Sequence, residues 1–168
     1  KRDAALLAFA SLLTPEDDQE MRSEIQGLVS RVLSVVCPMI KDDSTAVRDT
    51  TAYVLGKCVE SAPEVVFHEE YFPHVGDAIV VGLADPEPRV ATNACWGVLS
   101  LAQQAALAAG PGAATYYLSG TFMKLCEDLL ATADRPDANR SNLRPSAYDA
   151  LSELIKSAAA DCFPTLID

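Results

Sequence analysis

Apolar residues recur along the chain at the spacing of one helix face. The clearest run is Ile25, Leu28, Val29, Val32, Leu33, Val36, Met39 and Ile40, an i, i+3, i+4, i+7 stripe that predicts an amphipathic helix. A break over Lys41 to Ser44 leads to a second predicted helix, with Val47, Thr51, Val54, Leu55, Cys58 and Ala62 on one side and Pro63 at its end. The two make a hairpin. The next pair is predicted from about Phe67 to Leu83, with Tyr71, Val75, Ala78, Ile79 and Leu83 inward, and from about Glu87 to Ala106. Asp85-Pro86-Glu87-Pro88 supplies its turn. A third pair is predicted from about Thr115 to Ala131 and from Asn142 to Ala159, and Phe163 to Ile167 reads as the opening of another helix. No segment alternates as a strand does. Arg2 to Ala5 already belong to a helical pattern with no capping residue ahead of it, so the chain reads as part of something longer.

The pattern repeats. Arg2 to Phe9 reads RDAALLAF and Arg48 to Leu55 reads RDTTAYVL, about 46 residues further on. Matching core positions place Ala94 about 43 residues after Thr51, and Ala147 about 53 after Ala94, the last interval lengthened by the Gly-rich stretch Ala108 to Gly120. These periods predict an all-α fold of HEAT type: a right-handed superhelical stack of antiparallel helix hairpins forming an α-solenoid, here a segment of a longer array. Residues 18–62, 64–107 and 115–160 are the expected complete pairs, with 1–13 the end of one unit and 163–168 the start of another. Hairpins this short cannot bury their own apolar faces, so neighbours must stack into one continuous core. Asp42 with Arg48, and Asp85 with Arg89, resemble the HEAT arrangement of a turn Asp and an Arg early in the second helix, and these pairs are expected to tie adjacent repeats.

Charge narrows the partners. Lys and Arg total 13 against 24 Asp and Glu, a net charge of −11, which disfavours nucleic acid and anionic membranes and favours a basic partner. Solubility alone would also explain it. No uninterrupted apolar run reaches the roughly 20 residues that cross a bilayer. Cys37, Cys58, Cys95, Cys126 and Cys162 stand far apart on apolar stretches, which reads as buried reduced thiols rather than a metal or redox site. His68 and His74 read as surface or helix-end residues. With no phosphate loop, GxSxG, HExxH or paired Cys and His, neither an enzyme nor a cofactor or metal is expected.

Helical angles point to a binding face. At about 100° per residue with Ala94 as zero, Val90, Val98 and Leu101 point to the core while Trp96 lies near 200°, beside Arg89, Asn93, Ser100 and Gln103. Tyr53 takes the same outward position in the preceding repeat among Asp49, Thr50, Lys57 and Glu60, and Asp149 takes it in the last, accompanied by Ser146, Glu153 and Lys156. Second helices of HEAT pairs line the concave wall. Tyr53, Trp96 and Asp149 are therefore expected to form an exposed row for an extended or helical partner, with Asn93, Asp49, Glu60, Ser100 and Glu153 around it.

Three stretches carry a resemblance: VRDTTAYVLGKCVESAPE, EPRVATNACWGVLSLA and DRPDANRSNLRPSAYDALSELIKSAAADCFP. They closely resemble the importin-β (karyopherin-β) family of nuclear import receptors over nearly the whole chain, turn residues included. The resemblance implies a concave surface that wraps the basic importin-β-binding helix of an importin-α-type adaptor, or basic cargo. It also implies release by Ran-GTP, Phe-Gly nucleoporin contacts in the full receptor, and shuttling between cytoplasm and nucleus. Trp96 matches a tryptophan that contacts the basic helix in that family, and Tyr53 stands where a second is common. Asp49, Asn93 and Glu60 match positions of the same inner helices. No distinctive pocket signature for nucleoporins shows in this segment, and the Ala- and Gly-rich loop Ala108 to Gly120 departs from the acidic loop usual in the family. The competing reading is a generic HEAT scaffold for protein assembly, such as a phosphatase regulatory platform.

Overall fold

A computed structural model of the protein describes residues 1–13 and 19–164. The described residues hold helices α1 (Arg2–Ala10), α2 (Gln19–Val36), α3 (Thr45–Ser61), the single turn α4 (Pro63–Val66), α5 (Phe72–Leu83), α6 (Pro88–Ala109), α7 (Phe122–Ala133) and α8 (Leu143–Lys156). No strand occurs among them. The expected unit boundary at residue 18, and most of the helix opening at Phe163, fall outside the described residues.

Two layers of helices stack side by side, as in a HEAT-repeat α-solenoid. The inner layer runs α1, α3, α6, α8, each packed on the next, while α5 packs on α6 and α7, and α7 on α8. Helices in the middle of the inner layer have neighbours on three sides, so burial spreads around them. On α3, Val47, Thr51, Ala52, Val54, Leu55, Cys58 and Val59 are all buried, and α6 buries Val90, Ala91, Ala94, Cys95, Val98, Leu101 and Ala102. One hydrophobic cluster results, continuous from Leu6 to Cys162.

The stretch Gln19–Lys41 is the one among the described residues long and apolar enough to cross a membrane by length and composition. Its buried residues Ile25, Val29, Leu33 and Val36 follow one stripe into the core, with Arg22, Glu24 and Arg31 exposed. That is the pattern of an amphipathic core helix.

Helix ends follow local chemistry. Pro88 opens α6, where the missing N–H costs nothing, and Gly110, at φ 80°, closes it. Pro145 sits in the first turn of α8, as its sequence position allows. Two helices start later than their periodicity predicts: α5 begins at Phe72 and α7 at Phe122. Before α5, the His68–Tyr71 turn intervenes, where His68 Nδ1 accepts the Glu70 N–H at 3.3 Å. Before α7, the loop 110–118 is pinned elsewhere: the Ala160 and Asp161 N–H groups donate to the Ala113 and Ala114 carbonyls, each at 3.0 Å.

Aspartates in the turns set the register between units. Asp42 Oδ1 accepts the Ser44 N–H and Asp85 Oδ1 accepts the Glu87 N–H, both at 2.9 Å, so each carboxylate closes the turn into the following helix. Each also receives an arginine from the preceding inner helix: Arg2 to Asp42 at 2.5 Å and Arg48 to Asp85 at 2.7 Å. Arg48 donates further to the Asp42 and Asp43 carbonyls at 3.0 and 3.3 Å, joining three segments with one guanidinium. Its pKa is raised, chiefly by the hydrogen bond to Asp85.

The third rung differs. Arg89 does not continue the series toward the next turn but reaches back to Asp49 on α3, at 2.6 Å. Arg135 instead spans the neighbouring turns, donating to the Asp85 and Pro86 carbonyls at 2.6 and 3.2 Å. All four residues join adjacent units, but with other partners than expected: Arg48 pairs with the Asp85 carboxylate rather than that of Asp42, and Arg89 with Asp49 on α3 rather than with Asp85.

The side chains of Arg48 and Asp85 are 15% and 6% exposed. Removing one partner strands a mostly buried charge, so Arg48→Ala is expected to cost about 3 kcal/mol. Arg89→Ala, which removes a 69% exposed side chain and leaves Asp49 hydrogen-bonded to Asn93, should cost less than about 1 kcal/mol. Urea unfolding of the two variants checks the ordering, and equal losses would overturn the assignment of register to Arg48.

Candidate partner-binding face

Tyr53 on α3 and Trp96 on α6 meet across the inner layer. Their rings stack at 5.6 Å between centroids, 23° from parallel, within the range of favourable offset stacking. Lys57, one turn beyond Tyr53, holds its Nζ 5.8 Å from the centre of the Trp96 ring, a cation–π distance. Lys57 also pairs with Glu60 at 3.3 Å.

The indole is not free in solvent as its helical angle predicts. Both rings are half-buried, because Trp96 leans across onto Gly56 of the adjacent helix. A Cβ added at Gly56 would stand 2.4 Å from Cε3 and Cζ3 of the indole. Glycine is thus required at this crossing, and the angle count, which treats one helix in isolation, could not register the neighbour.

Beside the aromatic pair lies an open groove of about 750 Å³ between α1, α3 and the start of α6. Leu7 and Tyr53 give it apolar wall, and Asp3, Asp49 and Glu87 give it carboxylates. Asp3 accepts the Thr50 hydroxyl. Asp49 is gripped from α6: Asn93 Nδ2 donates to Oδ1 at 2.9 Å and to the Asp49 carbonyl at 3.3 Å, while Arg89 takes Oδ2 at 2.6 Å. Three carboxylates thus face one guanidinium.

The expected site residues come to rest in different places. Tyr53, Trp96, Asp49, Asn93 and Glu60 come together on the α3–α6 face. Asp149 is exposed on α8, but no hydrogen bond or ring contact among the described residues joins it to the aromatic pair. Glu153 is half-buried, accepts the Ser157 hydroxyl at 3.3 Å and borders a separate hollow near the end of α6. Ser100 is a correction: at 1% exposure it lies inside the core. The α6 surface near Ser100 is covered by neighbouring helices, so the hydroxyl cannot serve a partner.

A second hollow escaped sequence reading. Between α5 and α7 lies an apolar pocket of about 310 Å³ lined by Phe72, Ile79, Val80, Leu101, Leu118 and Leu125. Gly76 also borders it, and a side chain there would meet nothing within 4 Å. An apolar helix carrying a glycine on its less buried side was the only available signal.

All five cysteines are free and buried. Burial pushes the Cys37 thiol up to about 11 and the Cys58 and Cys95 thiols up to about 12, so none of these three supplies a thiolate at neutral pH.

Trp96 is the only tryptophan in the sequence, which makes its fluorescence a direct readout of its seat. Gly56→Ala is expected to push the indole outward, red-shift the emission and destabilise the fold by about 1–3 kcal/mol through overpacking, outweighing the roughly 1 kcal/mol helix-propensity gain of alanine. An unchanged spectrum and stability would show that the ring does not rest on Gly56.

Comparison with known proteins agrees with this architecture. A family model described as importin subunit beta-1-like, TPR repeats, matches residues 74–168. Importin subunit beta-1 of Saccharomyces cerevisiae is 30% identical over 157 residues, covering 94% of this chain and 17% of its own length. The Kap95:Nup1 complex matches with a TM-score of 0.84 at 29% identity, over 98% of this chain and 18% of the matched one. A structure of Kap95p, whose binding induces the switch loops of RanGDP to adopt the GTP-bound conformation, matches with a TM-score of 0.81 at 29% identity, over 94% and 17%. The chain therefore spans under a fifth of the length of these relatives. Built as stacked helix pairs with an arginine–aspartate ladder, and matched by that profile over more than half its residues, the chain belongs to the importin subunit beta-1-like family.

Proposed function

We propose that the segment forms part of the wall of a nuclear import receptor, where it holds a basic helix: the importin-β-binding helix of an importin-α-type adaptor, or basic cargo. The observation that carries this reading is the acidic groove of Asp3, Asp49 and Glu87 running up to the stacked Tyr53–Trp96 pair on one face of α3 and α6. Carboxylates attract the Lys and Arg of such a helix, and the half-buried aromatic faces take its aliphatic stems and cationic heads. The role is binding rather than catalysis. In the whole receptor, release would fall to Ran-GTP, in keeping with a relative that acts on the switch loops of RanGDP. The receptor would shuttle between cytoplasm and nucleus.

Trp96→Ala in the full-length protein is expected to weaken a labelled Arg-rich helical peptide by about 2 kcal/mol, roughly thirtyfold, in an anisotropy titration. The wild-type affinity should fall steeply with salt. Unchanged affinity with an intact circular dichroism spectrum would remove Trp96 from the site.

The apolar pocket between α5 and α7 supports a second contact, on the opposite layer. We propose that it takes the phenylalanine of a Phe-Gly nucleoporin segment, given a relative seen in complex with Nup1 and a pocket lined, apart from Asp77 and Thr121, by apolar residues. Val80, half-buried on its wall, is the place to test this: Val80→Asp should abolish retention on immobilised Phe-Gly peptide while leaving the Arg-rich peptide bound. Retention of both would dismiss the pocket.

A further inference from the structure

Resting on the basic-helix reading, we infer that Arg89 is a built-in competitor for the partner: its guanidinium occupies the Asp49 carboxylate that an incoming arginine or lysine needs, and it must leave before that side chain can bind. Asp49 is set as an acceptor whether or not Arg89 is present. Its side chain is 15% exposed, and the Asn93 amide holds Oδ1 at 2.9 Å, leaving Oδ2 turned toward the groove where Arg89 meets it.

Arg89, by contrast, is weakly held. A single nitrogen donates to Asp49, and the side chain is 69% exposed, so swinging it into water sacrifices one screened ion pair and little packing. The ladder does not need it either. Arg2 and Arg48 are bound to turn aspartates, but at the third rung Arg135 has taken over the Asp85 and Pro86 carbonyls. Arg89 is thereby free to face the groove.

A cation already seated on Asp49 shows that the carboxylate accepts a guanidinium in this setting. It also lowers the groove's negative charge while seated. The ion pair lost on displacement and the lowered charge both subtract from affinity for a basic partner. Weakly basic segments, which cannot make up the loss, are thereby rejected.

The test is an anisotropy titration of the full-length protein with a labelled Arg-rich amphipathic helical peptide, with thermal unfolding as a check on the fold. Arg89→Gln is expected to bind about fivefold more tightly than wild type, and Arg89→Lys to stay near wild type. Asp49→Asn should weaken binding, and the Asp49→Asn, Arg89→Gln double variant should lose the gain, which a merely structural Arg89 would not produce. If Arg89→Gln binds equally or more weakly while Trp96→Ala still weakens binding, Arg89 is not a competitor and the basic-helix reading stands. If neither substitution changes affinity, the reading itself fails and takes this inference with it.

Discussion

A hairpin of two helices has no interior of its own, and every structural feature of this chain follows from the need to borrow one. Each inner helix must lie against the next closely enough to exclude water along its length. Small residues are accordingly buried along both helices, Ala52 and Gly56 on α3 and Ala91, Ala94 and Cys95 on α6, with Gly56 seating Trp96 of α6. Close approach gives density but does not by itself choose a register, since small apolar side chains slide past one another at low cost. The Arg48–Asp85 pair supplies the choice. Its carboxylate is fixed by the turn it closes, its guanidinium by two carbonyls of the preceding turn, and a buried charge left without its partner is costly enough to penalise any slip.

The same closeness builds the binding face. Neither α3 nor α6 carries a site alone; the aromatic pair and the Asp49 cluster each draw residues from both. Trp96 leans toward α3 because Gly56 leaves room there, and Tyr53 closes over it. Part of each ring therefore joins the repeats while the rest stays uncovered, the surface the proposed basic helix would use. Such double use rigidifies the aromatic surface before any partner arrives, which lowers the ordering cost of binding.

Charge is handled in two ways that differ in their physics. Where the protein needs order, as at Arg48 and Asp85, opposite charges are mostly buried and multiply hydrogen-bonded. At Arg89 and Asp49, where we propose exchange with a partner, the arginine is largely solvated and singly bonded. The cysteines add no competing reactivity, because desolvation keeps the buried thiols protonated.

The amino-acid sequence determined the helices, their pairing, the turn aspartates and the core stripe of each helix, because these follow from periodicity and from chemistry within a few residues. It also pointed to Tyr53, Trp96, Asp49 and Asn93, which meet on the α3–α6 face, though the indole is half-buried there rather than exposed. Only the tertiary structure decided where each of these came to rest. An angular count places a side chain relative to one axis, whereas burial is set by whatever packs alongside. Ser100 and Trp96 fall on the same nominal side, yet neighbouring helices enclose the hydroxyl while the space above Gly56 seats the indole. Arg89 looks like one more rung of the ladder until Arg135, from the next unit, takes the carbonyls in that turn. The apolar pocket of α5 and α7 exists only between helices joined through α6, and a distance between chain segments is a property of the packed stack, which no local pattern encodes.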